Sequence, residues 1–229
     1  KYVAKKVGYK HMYGTKKSRY SESAIMGGYT PFHEATSRGN FDICKFIIDQ
    51  VEDKNPANKS GHTPLHIAAN YYDRDSSSSQ IVGHFEICQL IFEATGFQNP
   101  SNENGKTPLH SAAYHGNLKI CQMIIEKVDH KNPASTSRWG ENGTPLHGAA
   151  KEGHFEICKF IIEKVADKNP SDDHGVTPLH CAAKYDKLEI CKLIIENIVN
   201  NNPSDNRGTT PLHHAATNSN LEMCKLIFQ

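Results

Sequence analysis

The side chains that could bind a metal or act in catalysis are 14 histidines and seven cysteines in a chain of 229 residues. Histidine and cysteine are the usual zinc ligands, and both can serve as catalytic groups. Most of them recur at regular positions along the chain. The recurring histidines are His33, His66, His110, His147, His180 and His213, and the recurring cysteines are Cys44, Cys88, Cys121, Cys158, Cys191 and Cys224.

The spacing of these residues does not fit a zinc or a phosphate site. A zinc-binding His-Glu-x-x-His motif that began at His33 would need a second histidine where the chain has Ser37. No Cys-x-x-Cys pair occurs, and the recurring cysteines are too dispersed for one zinc ion. The segment from Gly105 to Thr107 is similar to the end of a phosphate-binding loop, but Pro100 occupies the position of the required glycine. The sequence therefore predicts no metal site and no cofactor.

Two further pairs, His180-Cys181 and His213-His214, place reactive side chains next to each other. Successive residues of a helix point in different directions, so such neighbours do not face one substrate. No other residues are spaced as a nucleophile and its base. We therefore interpret the chain as non-catalytic.

The recurring histidines belong to a four-residue motif that appears six times. The first copy is Thr30-Pro31-Phe32-His33, and Thr-Pro-Leu-His then begins at Thr63, Thr107, Thr144, Thr177 and Thr210. The intervals are 33, 44, 37, 33 and 33 residues. A period of this length indicates one supersecondary unit copied in tandem. Each copy is too small to bury its own apolar face, so neighbouring copies must stack.

The copy that begins at Thr144 shows how the unit is expected to fold. Thr144 suits the N-cap of a helix, and the proline after it suits the first helical position. Gly153 can adopt the left-handed conformation that ends this first helix. Apolar residues then follow at helical spacing from Phe155 to Ile162 and predict a second, more apolar helix.

These motifs are similar to those of the ankyrin repeat family, and the resemblance covers residues 30–229. It implies an all-α fold, an ankyrin-repeat solenoid of stacked helix-turn-helix units joined by β-hairpin-like loops. The expected repeats are residues 30–62, 63–106, 107–143, 144–176, 177–209 and an incomplete 210–229, and residues 1–29 form a basic cap or a degenerate repeat. The resemblance also implies that the motif histidine bonds the threonine hydroxyl and the backbone of adjoining turns.

The copies depart from the family pattern after the second helix. The family usually has glycine there, whereas this chain has Val51, Thr95, Val128, Val165 or Ile198. β-Branched residues resist the left-handed conformation, so we expect the second helix to end differently. An Asn-Pro pair follows in five copies, and each proline should hold its asparagine extended.

Two insertions break the period. The longer one, around residues 72–82, contains four serines beside charged residues and predicts a mobile loop. The shorter one enlarges the hairpin over residues 134–142 and carries Trp139, the only tryptophan of the chain. Trp139 either packs on its own hairpin or contributes to binding.

Charge is unevenly distributed along the chain. Residues 30–229 hold 19 basic and 24 acidic side chains, whereas residues 1–29 hold seven basic residues and one acidic residue.

Cysteine use suggests an intracellular protein. One cysteine in each repeat, at a helix-core position, is typical of a small buried hydrophobe rather than a disulfide. No apolar run approaches the roughly 20 residues of a membrane helix. We therefore expect reduced thiols and a cytoplasmic or nuclear location.

The predicted function is that of a non-catalytic interaction module that binds a protein or peptide on the concave face. The residues at the matching variable positions are Arg38, Lys59, Tyr71, Lys106, Tyr114, His115, Trp139, Glu141, Lys151, Glu152, His174, Lys184, Tyr185 and Arg207. A small-molecule substrate is not expected. One alternative is a targeting or regulatory domain of a larger enzyme or channel, with the C-terminal face covered by further sequence or a partner. Another is contact of the basic, tyrosine-rich N-terminus with nucleic acid or an anionic membrane, although a solvated cap explains that segment equally simply.

Overall fold

In a computed structural model of the chain, the described residues are 27–71, 79–96, 98–136 and 143–229. They contain twelve α-helices, arranged as six helix-turn-helix pairs. The first helices of the pairs are α1 (Pro31–Ser37), α3 (Pro64–Ala69), α5 (Pro108–Tyr114), α7 (Pro145–Glu152), α9 (Pro178–Lys184) and α11 (Pro211–Thr217). The second helices are α2 (Phe41–Gln50), α4 (Ser79–Ala94), α6 (Leu118–Lys127), α8 (Phe155–Lys164), α10 (Leu188–Ile195) and α12 (Leu221–Phe228).

The pairs stack in chain order. Each first helix packs on the first helices before and after it, and each second helix packs on the neighbouring second helices. The described residues contain no β-strand, and only an isolated bridge joins Ser135 to Gly143. The prediction of an all-α solenoid is therefore confirmed. The expected cap over residues 1–29 lies almost wholly outside the described residues.

The start of each first helix follows from its Thr-Pro sequence. Thr144 has the extended backbone of an N-cap, and Pro145 takes the first helical position. Gly153 ends α7 with a φ of 95°, in the left-handed region that glycine tolerates. Both features agree with the sequence prediction.

The core is a narrow seam between the two rows of helices. Leu109, Leu146 and Leu179 of the first helices are fully buried, as are the alanine pairs that follow them. The second helices contribute isoleucines and the recurring cysteines, among them the fully buried Cys158 and Ile161. Burying one such side chain contributes roughly 1.5–3 kcal/mol before conformational entropy is subtracted. Much of that contact is made with the next pair, so stability depends on stacking.

Three second helices, α2, α6 and α8, end at an extended valine, as expected from a β-branched C-cap. The expectation fails for two others: α4 is followed by Gly96 with a φ of 68°, in the left-handed region, and α10 ends at Glu196, before Ile198. Val165 is extended, with a φ of −113° and a ψ of 151°. Lys168 lies three residues after Val165, and its side chain folds back towards α8. Its Nζ donates a hydrogen bond to the Ile162 carbonyl at the end of that helix. Lys54 and Lys131 make the equivalent bonds in their own repeats. These lysines satisfy carbonyls that would otherwise have no helical partner.

The Asn-Pro pairs connect each turn to the following first helix. The Oδ1 of Asn169 accepts a hydrogen bond of 3.0 Å from the backbone N–H of Leu179, in the first turn of α9. Asn55, Asn132 and Asn202 make the same bond at 3.0 Å. The asparagine is thus an additional cap from outside the helix.

The prediction of a mobile loop around residues 72–82 is wrong for residues 79–82, because these residues belong to α4. Extending an existing helix adds one backbone hydrogen bond per residue fixed. The helix can therefore extend backwards from Phe85, the position at which α2 and α8 begin in their own repeats. Gly83 lies inside this helix and faces Gly39, where a Cβ would overlap the Gly39 carbonyl oxygen. Residues 72–78 of the predicted loop lie outside the described residues.

No helix among the described residues is long and apolar enough to cross a membrane.

Candidate functional site

The motif histidines connect each repeat to the next. In the third repeat the Nδ1 of His110 accepts a bond of 3.0 Å from the backbone N–H of Thr107 and lies 3.0 Å from the threonine Oγ1. Its Nε2 lies 3.2 Å from the Gly143 carbonyl oxygen, at the end of the following hairpin. His33, His66, His147 and His180 repeat the pattern, with Nε2 to carbonyl distances of 3.0–3.1 Å. The interpretation of these histidines as structural is confirmed.

Only one protonation state satisfies both bonds. A carbonyl oxygen can only accept, so Nε2 must carry the proton, and Nδ1 must be unprotonated to accept from the backbone N–H. Burial lowers the pKa of His66 and of His110 to about 4, although the carbonyl bond acts in the opposite direction. Burial also lowers the pKa of His33, His147 and His180. These rings are therefore neutral at physiological pH.

The cysteines are equally unsuited to chemistry. Burial raises the pKa of Cys44 to about 11 and the pKa of Cys158 to about 12. All seven thiols are free. Across the residues that the structure describes, no group of three or more His, Cys, Asp or Glu side chains could hold a metal ion.

A groove of about 670 Å³ lies between hairpins and first helices, and we call it the concave groove. One wall consists of hairpin tips and the other of first helices, from His62 at one end to His214 at the other. The motif histidines of α5, α7 and α9 form part of its floor. Eight residues predicted from the sequence line it: Lys106, Tyr114, His115, Lys151, His174, Lys184, Tyr185 and Arg207.

The centre of the groove is a lysine between two tyrosines. The Nζ of Lys151 lies 5.3 Å from the ring centroid of Tyr114 and 5.6 Å from that of Tyr185. The Nζ of Lys184 lies 5.6 Å from the same Tyr185 ring. These distances are in the range of cation–π attraction. The two tyrosines remain 37% and 42% exposed, so part of each residue is accessible to a ligand.

Backbone contacts from the next repeat hold these side chains in place. The Nε2 of His154 lies 3.0 Å from the Tyr114 carbonyl oxygen, at the end of α5. The amide of Asn218 donates to the carbonyl oxygens of Ala183 and Lys184 at 3.0 and 3.1 Å. The ends of α5 and α9 are thus held by the following repeat. Gly148 packs beside Tyr114, where an added Cβ would lie at an ordinary contact distance of 3.5 Å from the tyrosine Cβ.

Two acidic residues on the groove wall are used by their own hairpins. The Oδ1 of Asp172 accepts bonds of 2.8 and 2.9 Å from the backbone N–H groups of His174 and Val176. The Oδ1 of Asp205 accepts two bonds of 2.8 Å from Arg207 and Thr209. Burial acts to raise the pKa of Asp205, but the two backbone bonds and nearby positive charge lower it overall.

Hairpin tips are also joined to each other. The backbone N–H of Asn206 donates to the His174 carbonyl at 2.9 Å, and Thr136 donates to Asn104 at 2.9 Å. Neighbouring tips are therefore joined through their backbones at these points. This supports a preorganised surface.

The remaining predicted residues lie elsewhere. Arg38 forms an exposed ion pair of 2.7 Å with Glu34, and Tyr71 stacks on His84 with ring centroids 3.8 Å apart. Lys59 lies on the hairpin tip that bonds Gly27 through its backbone. Glu152 approaches Lys151 at 3.9 Å but does not line the groove. Trp139 and Glu141 lie outside the described residues.

Asn102, Asp172 and Asp205 line the groove but were not among the predicted site residues. A sequence signal for them exists, because an asparagine or aspartate stands five residues before the motif threonine in each of these hairpins. Asx side chains favour such turns by bonding the backbone two residues on.

The fold and the groove define a class of protein, a helical-repeat solenoid with a preformed concave surface. The family model for ankyrin repeats (3 copies) matches residues 9–94, 77–172, 128–202 and 146–229. The chain therefore belongs to the ankyrin repeat family, whose members are generally protein–protein interaction modules.

A solved structure agrees with this assignment. An ankyrin repeat domain from Acinetobacter baumannii AYE is 27% identical, with a TM-score of 0.68. The match covers 86% of this chain and 96% of that one. No curated protein shows a significant match to the chain.

Proposed function

We propose that this chain is a non-catalytic module that binds a protein or an extended peptide along the concave groove. The observation that carries the proposal is the cluster of Tyr114, Lys151 and Tyr185 at the centre of the groove. Aromatic side chains dominate many binding hot spots because they bury a large area for little loss of conformational entropy. Here they come from three successive repeats.

Binding would proceed on a surface that is already formed. The ends of α5 and α9, which carry Tyr114 and Tyr185, are bonded to the next repeat, and neighbouring hairpin tips are bonded to each other. A preorganised surface reduces the ordering cost of association. Little backbone movement is then expected on binding.

The other predicted residues extend the proposed interface. Lys106, His115, His174, Lys184 and Arg207 line the same groove. Arg38, Lys59, Tyr71 and Glu152 would meet only a partner that reaches beyond it. The buried, free thiols support an intracellular location for this interaction.

Affinity capture with the whole chain, followed by mass spectrometry, tests the proposal. A Tyr114→Ala/Tyr185→Ala variant should lose the captured partner, whereas a Phe155→Ala variant should keep it. Phe155 is a matched control because it is 37% exposed but lies outside the groove lining. A Trp139→Ala variant shows whether the enlarged hairpin contributes.

The proposal is wrong if the double tyrosine variant captures the same partner with unchanged affinity and melting temperature. Loss of the partner in the Phe155 variant alone would place binding on the second helices instead.

A further inference from the structure

The charge of the concave groove is opposite to that of the repeats that build it. Its described lining carries four permanent cations and two carboxylates. Residues 30–229 as a whole carry 19 basic and 24 acidic side chains. The second helices carry nine acidic and seven basic side chains, so the excess of positive charge in the groove is not shared by that face.

The two carboxylates of the lining are already engaged. Asp172 and Asp205 each accept two backbone hydrogen bonds within their own hairpin. If these two carboxylates turned away from their hairpins to bind a cationic ligand, the backbone N–H groups that they now accept from would lose their partners. Glu152, which is not part of the lining, lies 3.9 Å from the Lys151 Nζ, and pairs of partly exposed side chains at such distances contribute little. The groove therefore favours an anion.

The cations are ordered along the array. Lys106 precedes α5, Lys151 and Lys184 lie in the last turns of α7 and α9, and Arg207 precedes α11. Within the repeat bounds given above, Lys106 belongs to the second repeat, Lys151 to the fourth, and Lys184 and Arg207 to the fifth. Lys151 and Lys184 occupy the same helical position, six residues after the proline of their motif.

The spacing of these two lysines sets a register for the ligand. Axes of packed neighbouring helices lie about 8–10 Å apart. A peptide in the polyproline II conformation rises about 3.1 Å per residue and has three residues per turn, so residues i and i+3 lie on one face roughly 9 Å apart. Carboxylates at positions i and i+3 of such an extended chain would meet successive lysines.

We propose that the concave groove recognises an extended acidic peptide in which carboxylates recur at every third residue. This inference rests on the proposed function and specifies the chemistry of the partner. Lys151 and Lys184 bind the two central carboxylates. The rings of Tyr114 and Tyr185 pack against the intervening residues.

Fluorescence anisotropy with synthetic 12-residue peptides tests this inference on the whole chain. The first probe carries glutamate at positions 2, 5, 8 and 11 among serine and glycine. The second has the same composition with its four glutamates contiguous, and the third replaces every glutamate of the first with lysine. A 12-nucleotide uridine RNA is the fourth probe, because phosphates could also meet a positive groove.

The spaced peptide should bind about two- to fivefold more tightly than the contiguous one, since one additional aligned ion pair contributes that much. The lysine peptide should not bind. Raising the salt from 50 to 300 mM should weaken binding, because exposed charges are screened. Equal affinity for the spaced and contiguous peptides, or tighter binding of the RNA, would overturn the proposal, as would binding of none of the probes.

Paired variants locate the binding. Lys151→Gln/Lys184→Gln should weaken the spaced peptide at least fivefold, and Lys151→Arg/Lys184→Arg should retain most of the affinity because the charge is kept. Lys45→Gln/Lys159→Gln removes the same charge from exposed positions of α2 and α8 and should have no effect. An equal loss in this control would show general attraction and overturn the groove assignment.

The two proposals fail separately. If the tyrosine variant loses its captured partner but the lysine variants do not, the groove binds a partner that is not acidic. If the tyrosine variant also keeps its partner, the groove itself is not the interface.

Discussion

Mild acid should unfold this protein through its buried histidines. Protonating Nδ1 of His66 or His110 would place a proton against the backbone N–H that Nδ1 now accepts from. Burial lowers the pKa of both rings from about 6.5 to about 4. In the unfolded chain they would titrate near 6.5. Between pH 6.5 and 4 the unfolded state therefore binds more protons, and stability falls as pH falls.

The magnitude follows from the two pKa values. A tenfold change in proton affinity corresponds to about 1.4 kcal/mol. At pH 5 the unfolded histidine is almost fully protonated and the folded one is mostly neutral, so each ring lowers the free energy of unfolding by about 2 kcal/mol. His66 and His110 together account for about 4 kcal/mol relative to pH 7.5. His33, His147 and His180 act in the same direction.

Urea unfolding followed by circular dichroism at pH 7.5, 6.0 and 5.0 measures this loss. Ordinary aspartates and glutamates titrate near 4, so they contribute little above pH 5. A His110→Gln variant should be less stable at pH 7.5, but its loss between pH 7.5 and 5.0 should be smaller by about 2 kcal/mol. The reasoning fails if the wild type keeps the same free energy of unfolding at pH 7.5 and pH 5.0, or if the variant has an unchanged pH dependence.

Three further predictions concern the framework. Gly83→Ala should destabilise the fold by about 1–3 kcal/mol because its Cβ would overlap the Gly39 carbonyl. Gly148→Ala, in a helix with ordinary space, should instead raise stability by about 0.5–1 kcal/mol in urea unfolding. A Gly83→Ala variant as stable as the wild type would contradict the close approach at residue 83. Lys168→Met should cost about 0.5–1.5 kcal/mol by freeing the Ile162 carbonyl, whereas Lys159→Met should change stability by less than about 0.5 kcal/mol. Burial raises the pKa of Cys44, Cys158 and Cys191, so these thiols should react with an aromatic disulfide at pH 8 more than about 100-fold slower in the folded chain than in denaturant. Rapid labelling of all seven thiols in the folded protein would contradict this.

The sequence predicts the framework well because the framework is local. Thr144, Pro145 and His147 lie within four residues, and their roles depend on bonds within one turn and to the adjoining hairpin. The extended end of the second helix was also predictable, since a β-branched residue such as Val165 avoids the left-handed conformation.

Features that depend on distant backbone positions were not predictable in the same way. The approach of Gly83 to Gly39 joins residues that are 44 positions apart in sequence. The lysines that satisfy the ends of α2, α6 and α8 are visible in the sequence, but each target carbonyl lies six residues earlier and only the turn brings the two together. Asp172 and Asp205 have a regular spacing, yet spacing alone does not show that they line the groove.

The sequence could nominate groove residues but could not rank them. It placed Tyr114, Lys151 and Tyr185 on first helices of successive repeats, and the structure brings these side chains within cation–π distance. It also nominated Arg38 and Tyr71, whose side chains are engaged with Glu34 and His84. The variable positions of a repeat are those that do not pack in the core. Their side chains therefore contact residues of the neighbouring repeats, and these contacts cannot be read from one repeat alone.

The framework and the groove are coupled by helical geometry. His147 and Lys151 are four residues apart in α7 and lie on one face, as do His180 and Lys184 in α9. The histidine ring sets the position of the helix against the next hairpin, and the lysine one turn later projects from that fixed base. Lysine stays charged throughout the acid range in which the histidines become protonated. Lowering the pH therefore preserves the charge that would attract an acidic peptide while it weakens the inter-repeat bonds that hold this charge in register.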